Sequence, residues 1–600
     1  MQPNIYALIN LTMEVTRLFD ILPHYKENYK PKDDVLAGKE NGEWVKYNID
    51  QYIEISNNIS YALLHLGVEK GDKIASISNN RPEWNFVDMA IMQIGAVHVP
   101  IYPTISESEY RYILNHAEVK YVFISSKTLL KKIEHIAPDI PSLKGIYTFD
   151  KVPKANHLSE LLELGNKHSA PDLVKQIKST IKTSDLVTLI YTSGTTGESK
   201  GVMLTHNNIV SNILATKHIP PMGEEGRALS YLPLCHIYER MLTYMFQYVG
   251  ISIYYAENIG TIADNIKEIR PDLMSSVPRL LEKVYDKIIM KGRKLKGIKK
   301  GIFFWAVNVG LRYELDNRNG FFYGIQLKIA RKLVLSKWKA GLGGRFQLIV
   351  SGGAALQERL ARVFTAAEIP ILEGYGLTET SPVIAVSTLK KGERKFGAVG
   401  PPIPGVSVKI ADDGEILCKG PNIMEGYYKQ PELTAEAIDE EGWFHTGDLG
   451  VFEKEGQLKI TGRKKEIFKT SFGKYISPQV LENKFNESPF IETTVVFGEN
   501  QKYAAALIVP QFEHLRSWCG VKEIEYTTDA KMIKLPRIKK RIQKEIDFYN
   551  QFFGKTEQIA KVEILEKPFT VDSGELTAKM SLRRNTIAEK YKEEVARLFN

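Results

Sequence analysis

The chain has 600 residues, 43% of them hydrophobic and 25% charged, which excludes disorder as its main state and, at this length, a single domain of typical size. Lys and Arg total 80 against 71 Asp and Glu, and the resulting +9 suits anionic ligands or an anionic membrane surface without implying wholesale nucleic-acid coating. Cys235, Cys418 and Cys519 stand far apart without a CxxC, so neither a disulfide framework nor a zinc ribbon is supported, and a reducing compartment fits best.

The first residues, MQPNIYALINLTMEVTRLFD, lack a basic segment followed by a continuous apolar run. No uncharged run reaches the roughly 18 residues that a membrane span needs. The expectation is a cytoplasmic protein, with peripheral contact at the inner membrane face left open. Short apolar runs alternate with amphipathic stretches through the first two thirds: KIASIS near Ile74, AVHVPIY near Val97, YVFISS near Val122, LVTLIYT from Leu186, ISIYYA near Ile251 and FQLIVSGG near Ile349. This alternation predicts βαβ units around largely parallel sheets, an α/β fold.

Directly behind LVTLI comes YTSGTTGESKG, from Tyr191 to Gly201. Gly194, Gly197 and Gly201 let backbone amides turn inward around an anion, Thr192, Ser193, Thr195 and Thr196 add hydroxyls, and Lys200 adds a positive charge. Together they suit a polyphosphate. The Walker spacing G-x-x-x-x-G-K-[ST] is absent, so an ordinary P-loop ATPase is disfavoured. A flexible Ser/Thr/Gly linker is the alternative, but a linker seldom hangs directly from a buried strand.

From Lys287 to Arg345 the chain is rich in Lys and Arg, with aromatics and aliphatics at helical intervals. Basic amphipathic helices are expected there, as a solvated insertion packed by its apolar face or as a membrane-facing surface. SGGAAL (Ser351 to Leu356) places glycines between a strand and an expected helix. In EGYGLTET (Glu373 to Thr380), Tyr375 suits stacking on a base, Thr378 a phosphate, and Glu379 Mg²⁺ through oxygen ligation. VSVKIADDGEILCKG reads as a compact β subdomain with Asp413-Gly414 as its hairpin signal. GWFHTGDLG (Gly442 to Gly450) is expected to present Asp448 in a turn, where a carboxylate can accept both hydrogen bonds of a ribose diol, although such turns are also common surface features. The expected domain boundary falls at about residue 462, dividing 1–461 from 462–600, with long charged helical stretches from about Lys531 to Gln551.

With these clusters in this order, the chain resembles the adenylate-forming superfamily of acyl-CoA synthetases, luciferases and peptide-synthetase adenylation domains over nearly its whole length. YTSGTTGESKG is similar to the family's phosphate loop, GYGLTET to its adenine and Mg²⁺ segment, FHTGD to its ribose turn, and TGRKKEIFKTSFGKYISP to its hinge and first C-terminal motif. The resemblance implies a large N-terminal domain of parallel-rich sheets and helices with a β subdomain, and a small mobile α+β C-terminal domain. It implies that Tyr375, between Gly374 and Gly376, stacks on adenine beside Gly352, Gly353 and Ala354. Thr378 and Glu379 would then meet the α-phosphate and Mg²⁺, Thr192 joining Glu379 on the metal side, while Asp448 and Arg463 hold the ribose. Thr192, Ser193, Gly194, Thr195, Thr196, Gly197 and Lys200 would enclose the β- and γ-phosphates. Lys465 falls at the hinge position, and Gly473 on the loop that lines the thiol tunnel once the small domain has turned.

Within the superfamily, LPLCHIYER (Leu232 to Arg240) resembles the fatty-acid entrance segment of long-chain fatty acyl-CoA synthetases. SVPRLLEKVYD, the basic insertion and LGGRFQLIVSGGAAL are typical of the same group. His236 would lie by the carboxylate and adenylate, a satisfied core histidine being the alternative. One departure concerns the adenylation lysine, usually found in a segment like LTPTxKxKR. Here ELTAKMSLRR puts Ser581 at that place and Lys579 two residues earlier, on the same face if the segment is an extended strand. The implied reaction is adenylation of a fatty acid by Mg-ATP with release of pyrophosphate, followed by attack of the CoA thiol with release of AMP. Two other readings stay open: an acyl-ACP synthetase, passing the acyl group to a carrier-protein phosphopantetheine, and a binding module that has lost catalysis. Acyl chain length and oligomeric state, a homodimer among the options, are not set by the sequence.

Overall fold

The computed structural model describes residues 14–193, 199–570, 573–577 and 582–600. Each apolar run named above forms a strand, because aliphatic and β-branched side chains fill both faces of a sheet buried between layers. In a seven-stranded sheet, β1 (Lys73–Ile77) pairs in parallel with β2 (Val97–Ile101), and β2 meets β3 (Leu186–Ser193) in parallel. The next strand, β4 (Ser199–Thr205), folds back antiparallel on β3, so the segment between them joins two strand ends. An eight-stranded sheet holds β5 (Leu348–Ser351) beside β6 (Ile371–Gly376), again in parallel. A third, antiparallel sheet contains the Asp413-Gly414 hairpin together with β7 (Phe444–Phe452) and β8 (Leu458–Arg463). Gly414 takes φ +86° in that turn, where a β-carbon would be strained.

Three helices place the site. The first, α1 (Pro82–Gln93), crosses from β1 to β2 and is buried on nearly every side. The second, α2 (Ile237–Tyr248), is likewise buried and starts at His236. The third, α3 (Pro278–Arg293), is amphipathic and reaches the C-terminal part, where Arg279 donates to Glu492 at 2.6 Å and Arg293 meets His514 at 2.9 Å. The buried apolar core of that C-terminal part lies between Phe468 and Leu598 and is separate from the cores of the larger N-terminal domain. It surrounds a three-stranded sheet and the charged helix Pro536–Asn550.

The 287–345 segment is helical, but the expectation of amphipathic helices needs correction. After α3, both α4 (Gly297–Leu311) and α5 (Gly320–Ala330) carry apolar side chains on nearly every side. One face of α4 buries Phe303 against Gly292 of α3 and Gly310 against α6 (Glu358–Ala366), with Ala306 and Val307 buried between them, while Ile298 and Trp305 remain outside. Among the described residues no helix is long and apolar enough to cross a membrane. Cys235, Cys418 and Cys519 are buried.

Candidate active site

The two domains face a shared cavity of about 2760 Å³. Thr192 and Lys200 reach it from opposite sides of the β3–β4 hairpin, where they are directly paired. Ser193 closes β3 opposite Ser199. Gly194, Thr195, Thr196, Gly197 and Lys579 lie outside the described residues, although Thr577 and Leu582, which flank the Lys579 segment, line the cavity.

At the end of β5, Gly352, Gly353 and Ala354 border the cavity. A side chain at Gly352 would approach the Tyr238 ring to 3.2 Å, and Gly353 takes φ +78°, so this bend favours glycine twice over. Gly374, Tyr375 and Gly376 complete β6. Gly376 sits so close to Pro382 that an added β-carbon would fall 1.7 Å from its carbonyl oxygen.

Tyr375 donates its hydroxyl to Asp448 Oδ2 at 2.8 Å, and Arg463 Nε donates to Asp448 Oδ1 at 3.0 Å. The expected turn at Asp448 is in fact strand: Asp448 lies within β7, directly opposite Arg463 of β8. Gly447 at φ +70° and a bulge just beyond Asp448 supply the irregularity that the sequence suggested. Burial and the Asp448 charge keep the Tyr375 hydroxyl well above its ordinary pKa, so it stays a donor. Burial works against the Arg463 charge, but Asp448 outweighs it.

Thr378 is buried in a short turn after β6, and Glu379 accepts from the Tyr427 hydroxyl at 2.9 Å. The same Tyr427 ring lies 4.9 Å from the Lys200 ammonium, within cation–π range. Tyr427 therefore links two residues that the sequence keeps far apart, and no spacing pattern announces it. His236 caps α2 through Nδ1, which accepts from the Tyr238 amide at 3.1 Å, and also borders the cavity. Glu373, another residue the sequence reading missed, is buried at the cavity wall, and burial pushes its carboxyl pKa up to about 8.

Behind α2 lies a polar knot that was also missed. Arg240 donates to Tyr244 and Thr188, at 2.8 Å each, and pairs with Asp88; Asp88 also meets the Tyr244 hydroxyl and, at 2.6 Å, His98 Nδ1. His98 Nε2 reaches Ser76 at 2.7 Å. Its members come from β1, α1, β2, β3 and α2, and only the fold assembles them.

The segment around Lys465, the expected hinge, is tied in both directions. Lys464 pairs back with Asp413 at 2.6 Å and Glu415 at 2.8 Å, whereas Glu466 accepts from Arg584 at 3.2 Å. Lys465 stands between them and lines the cavity. Gly473 does not: it is exposed on the turn between two short strands of the C-terminal part, at φ +80°.

Comparison with known proteins places this arrangement. Residues 26–428 match the AMP-binding enzyme family, and residues 466–600 match the AMP-binding enzyme C-terminal domain. The chain is 34% identical to the Long-chain-fatty-acid-CoA ligase FadD15 of Mycobacterium bovis, over 91% of this chain and 92% of that protein. It is 31% identical to the human Long-chain-fatty-acid-CoA ligase 1, over 93% of this chain and 82% of that protein. Among solved structures, the adenylation domain of a Mycobacterium chelonae carboxylate reductase superposes with a TM-score of 0.75 at 22% identity, over 97% and 91% of the two chains. An anthranilate CoA ligase bound to anthranoyl-AMP gives 0.70 at 18% identity, over 97% and 98%. The chain belongs to the AMP-binding enzyme family and stands among its long-chain fatty acyl-CoA ligases.

Proposed function

We infer that this enzyme converts long-chain fatty acids to acyl-CoA in two steps at the shared cavity. The observation that carries the reading is the convergence there of the Tyr375, Asp448 and Arg463 cluster with Thr192, Lys200, Thr378 and Glu379, in a chain of this family. In the first step a fatty carboxylate oxygen attacks the α-phosphorus of ATP, and the bond to pyrophosphate breaks. Two anions must meet, so the chain has to supply positive charge and oriented donors, roles that suit Lys200, Lys579 and the loop amides. Asp448 and Arg463 would hold the ribose, Tyr375 the adenine, and His236 would lie by the fatty carboxylate.

Glu379 and the Thr192 hydroxyl fit Mg²⁺, which takes one or two protein carboxylates together with phosphate and water oxygens. Among the described residues no group of three acidic, His or Cys side chains could cage a metal, in keeping with an ion held largely by the nucleotide. When bound, it neutralises phosphate charge.

In the second step the CoA sulfur attacks the acyl carbon, the thiol loses its proton, and the carbon–oxygen bond to AMP breaks. We take Lys465 as the hinge, because bonds run backward from Lys464 and forward from Glu466, and we place the division at this lysine, a few residues beyond the expected 461/462, because β8 runs to Arg463. Thr577 and Leu582 facing the cavity suit the state that delivers Lys579, and exposed Gly473 suits a loop that enters only after rotation. The reading extends to peripheral contact with a membrane through residues 287–345, supported by the apolar side chains exposed there.

The test is incubation of the purified protein with Mg-ATP, CoA and fatty acids of increasing length, with AMP and acyl-CoA measured together. A thioester yield that peaks with long chains is expected. AMP without acyl-CoA would indicate another thiol acceptor, and the absence of both products would overturn the reading.

A further inference from the structure

We propose that the outer face of the α4–α5 hairpin docks on the surface of an anionic lipid bilayer. This deepens the membrane contact proposed above and rests on that reading. A helix that is apolar all round belongs in a protein core or in lipid, and one face of each of these helices is in neither. On α4 the outward residues are Ile298, Ile302 and Trp305, one helical turn apart, with Ile298 83% exposed. On α5 they are Phe321, Phe322, Ile325 and Ile329, and the two phenylalanines are 78% and 80% exposed. Their rings contact edge to face, with centroids 5.9 Å apart. Soluble surfaces rarely carry such a contiguous apolar patch without a partner.

The hairpin presents this patch in a fixed geometry. Tyr323 donates to the Val309 carbonyl at 2.7 Å, Asn319 donates to the Arg312 carbonyl at 3.0 Å, and the Glu314 amide donates to Asn319 at 2.7 Å. The inner face is anchored, since a side chain at Gly310 would approach Val363 of α6 to 2.9 Å. The apolar face is thus held out by a buried counterpart.

Charge selects the occupant. Residues 287–345 hold fifteen Lys and Arg against Glu314 and Asp316, a larger positive excess than the +9 of the whole chain. Glu314 is paired with Arg362. Lys294, Lys296, Lys299, Lys300, Lys328 and Lys332 are exposed, and among the described residues none of them makes an ion pair. A second copy meeting this face about a two-fold axis would set these lysines against their own images. Anionic headgroups instead pair with the lysines while the Phe, Ile and Trp side chains enter the headgroup and acyl boundary, so that the hairpin as a unit, its inner face buried against the protein, lies on the interface.

The experiment is co-sedimentation of the full chain with vesicles of phosphatidylcholine alone and of phosphatidylcholine mixed with phosphatidylglycerol. Binding to the anionic vesicles only, weakened by salt, is expected. Phe321→Ser with Phe322→Ser should lower partitioning by at least about tenfold, and Lys299→Gln with Lys300→Gln by roughly fivefold per charge removed. Both variants should keep the parent melting temperature and the parent rate of acyl-CoA formation from dispersed fatty acid. That rate tests the ligase reading separately, so loss of vesicle binding at full activity identifies a docking defect alone. Absence of binding to anionic vesicles overturns the proposal. Vesicle binding that survives both variants leaves membrane contact standing and overturns this face. A dimer that the phenylalanine variant dissolves, without vesicle binding, assigns the face to self-association and overturns it as well.

Discussion

Asp88 and Asp448 each hold an arginine, and the surroundings of the two pairs differ. The Asp88 and Arg240 side chains are 1% and 0% exposed, and Tyr244, Thr188 and His98 complete their hydrogen bonds within the protein. The Asp448 and Arg463 side chains are 10% and 53% exposed, and both border the cavity. In the first pair, mutual attraction mainly offsets the cost of removing two charges from water, and the benefit is registry among β1, α1, β2, β3 and α2. In the second, Arg463 has donors beyond Nε that can turn to a ligand. A saturated pair suits a role in the fold, and an unsaturated pair at a cavity suits the ribose-binding role proposed for it.

The contrast breaks most visibly at Arg240. Arg240→Met leaves Asp88 buried without its cation, and the expected loss is about 3–5 kcal/mol of stability, read from the denaturation midpoint. A midpoint equal to that of the parent would remove the distinction between the pairs. Lys200→Ala should act in the opposite sense, lowering pyrophosphate release roughly a hundredfold or more while costing stability only its contact with Tyr427, about 1 kcal/mol. Asp448→Asn should follow the same pattern more mildly. Losing charged hydrogen bonds to a ribose should reduce kcat/KM for ATP about ten- to a hundredfold. Its midpoint should stay near that of the parent, because Arg463 remains hydrated. A large drop in midpoint with unchanged kcat/KM would make Asp448 a structural residue like Asp88.

Much of this was legible in the sequence wherever local chemistry decides structure. The run LVTLI forms β3 because its aliphatic side chains need burial on both faces, and Asp413-Gly414 forms its hairpin because Gly414 takes positive φ. Thr192, Lys200, Tyr375, Glu379, Asp448 and Arg463, which border the cavity, were legible through motifs, which carry chemistry and spacing together. Contacts between distant segments were not. Nothing near Tyr427 signals that its ring faces Lys200 and its hydroxyl Glu379, and Asp88, His98 and Arg240 belong to separate stretches that meet only after the sheet forms. Asp448 was misplaced into a turn because Thr-Gly-Asp favours one locally, whereas pairing with β8 extends the strand through it. Residues 287–345 were read as amphipathic because aromatics and aliphatics recur at helical intervals among their lysines, whereas α4 and α5 carry apolar side chains on the outer face as well.

The same contrast yields a pH test, with the smallest effect per step. Burial alone would raise the pKa of Asp88, but Arg240 and His98 outweigh it and hold it below the ordinary carboxylate value. Glu373 is also buried, but the Gly397 amide and the charge of Arg394 offset burial only in part, and its pKa rises to about 8. Folded protein therefore keeps a proton on Glu373 between pH 4.5 and about 8 that the unfolded chain has released. Its contribution to stability is complete below the ordinary glutamate pKa and is lost as pH rises through that window. Glu239, pushed up to about 7 by burial, acts in the same sense over a shorter range. Asp88 acts oppositely, losing its contribution only as pH falls through its lowered value. Glu373→Gln keeps the acceptor for the Gly397 amide and removes the titration. Across the window the parent should lose stability relative to this variant by about 1.4 kcal/mol per pH unit, and the two curves should run parallel above pH 8. Parallel curves from pH 5 upward would show Glu373 ionised in the folded state, and burial without a full cation partner would no longer separate it from Asp88.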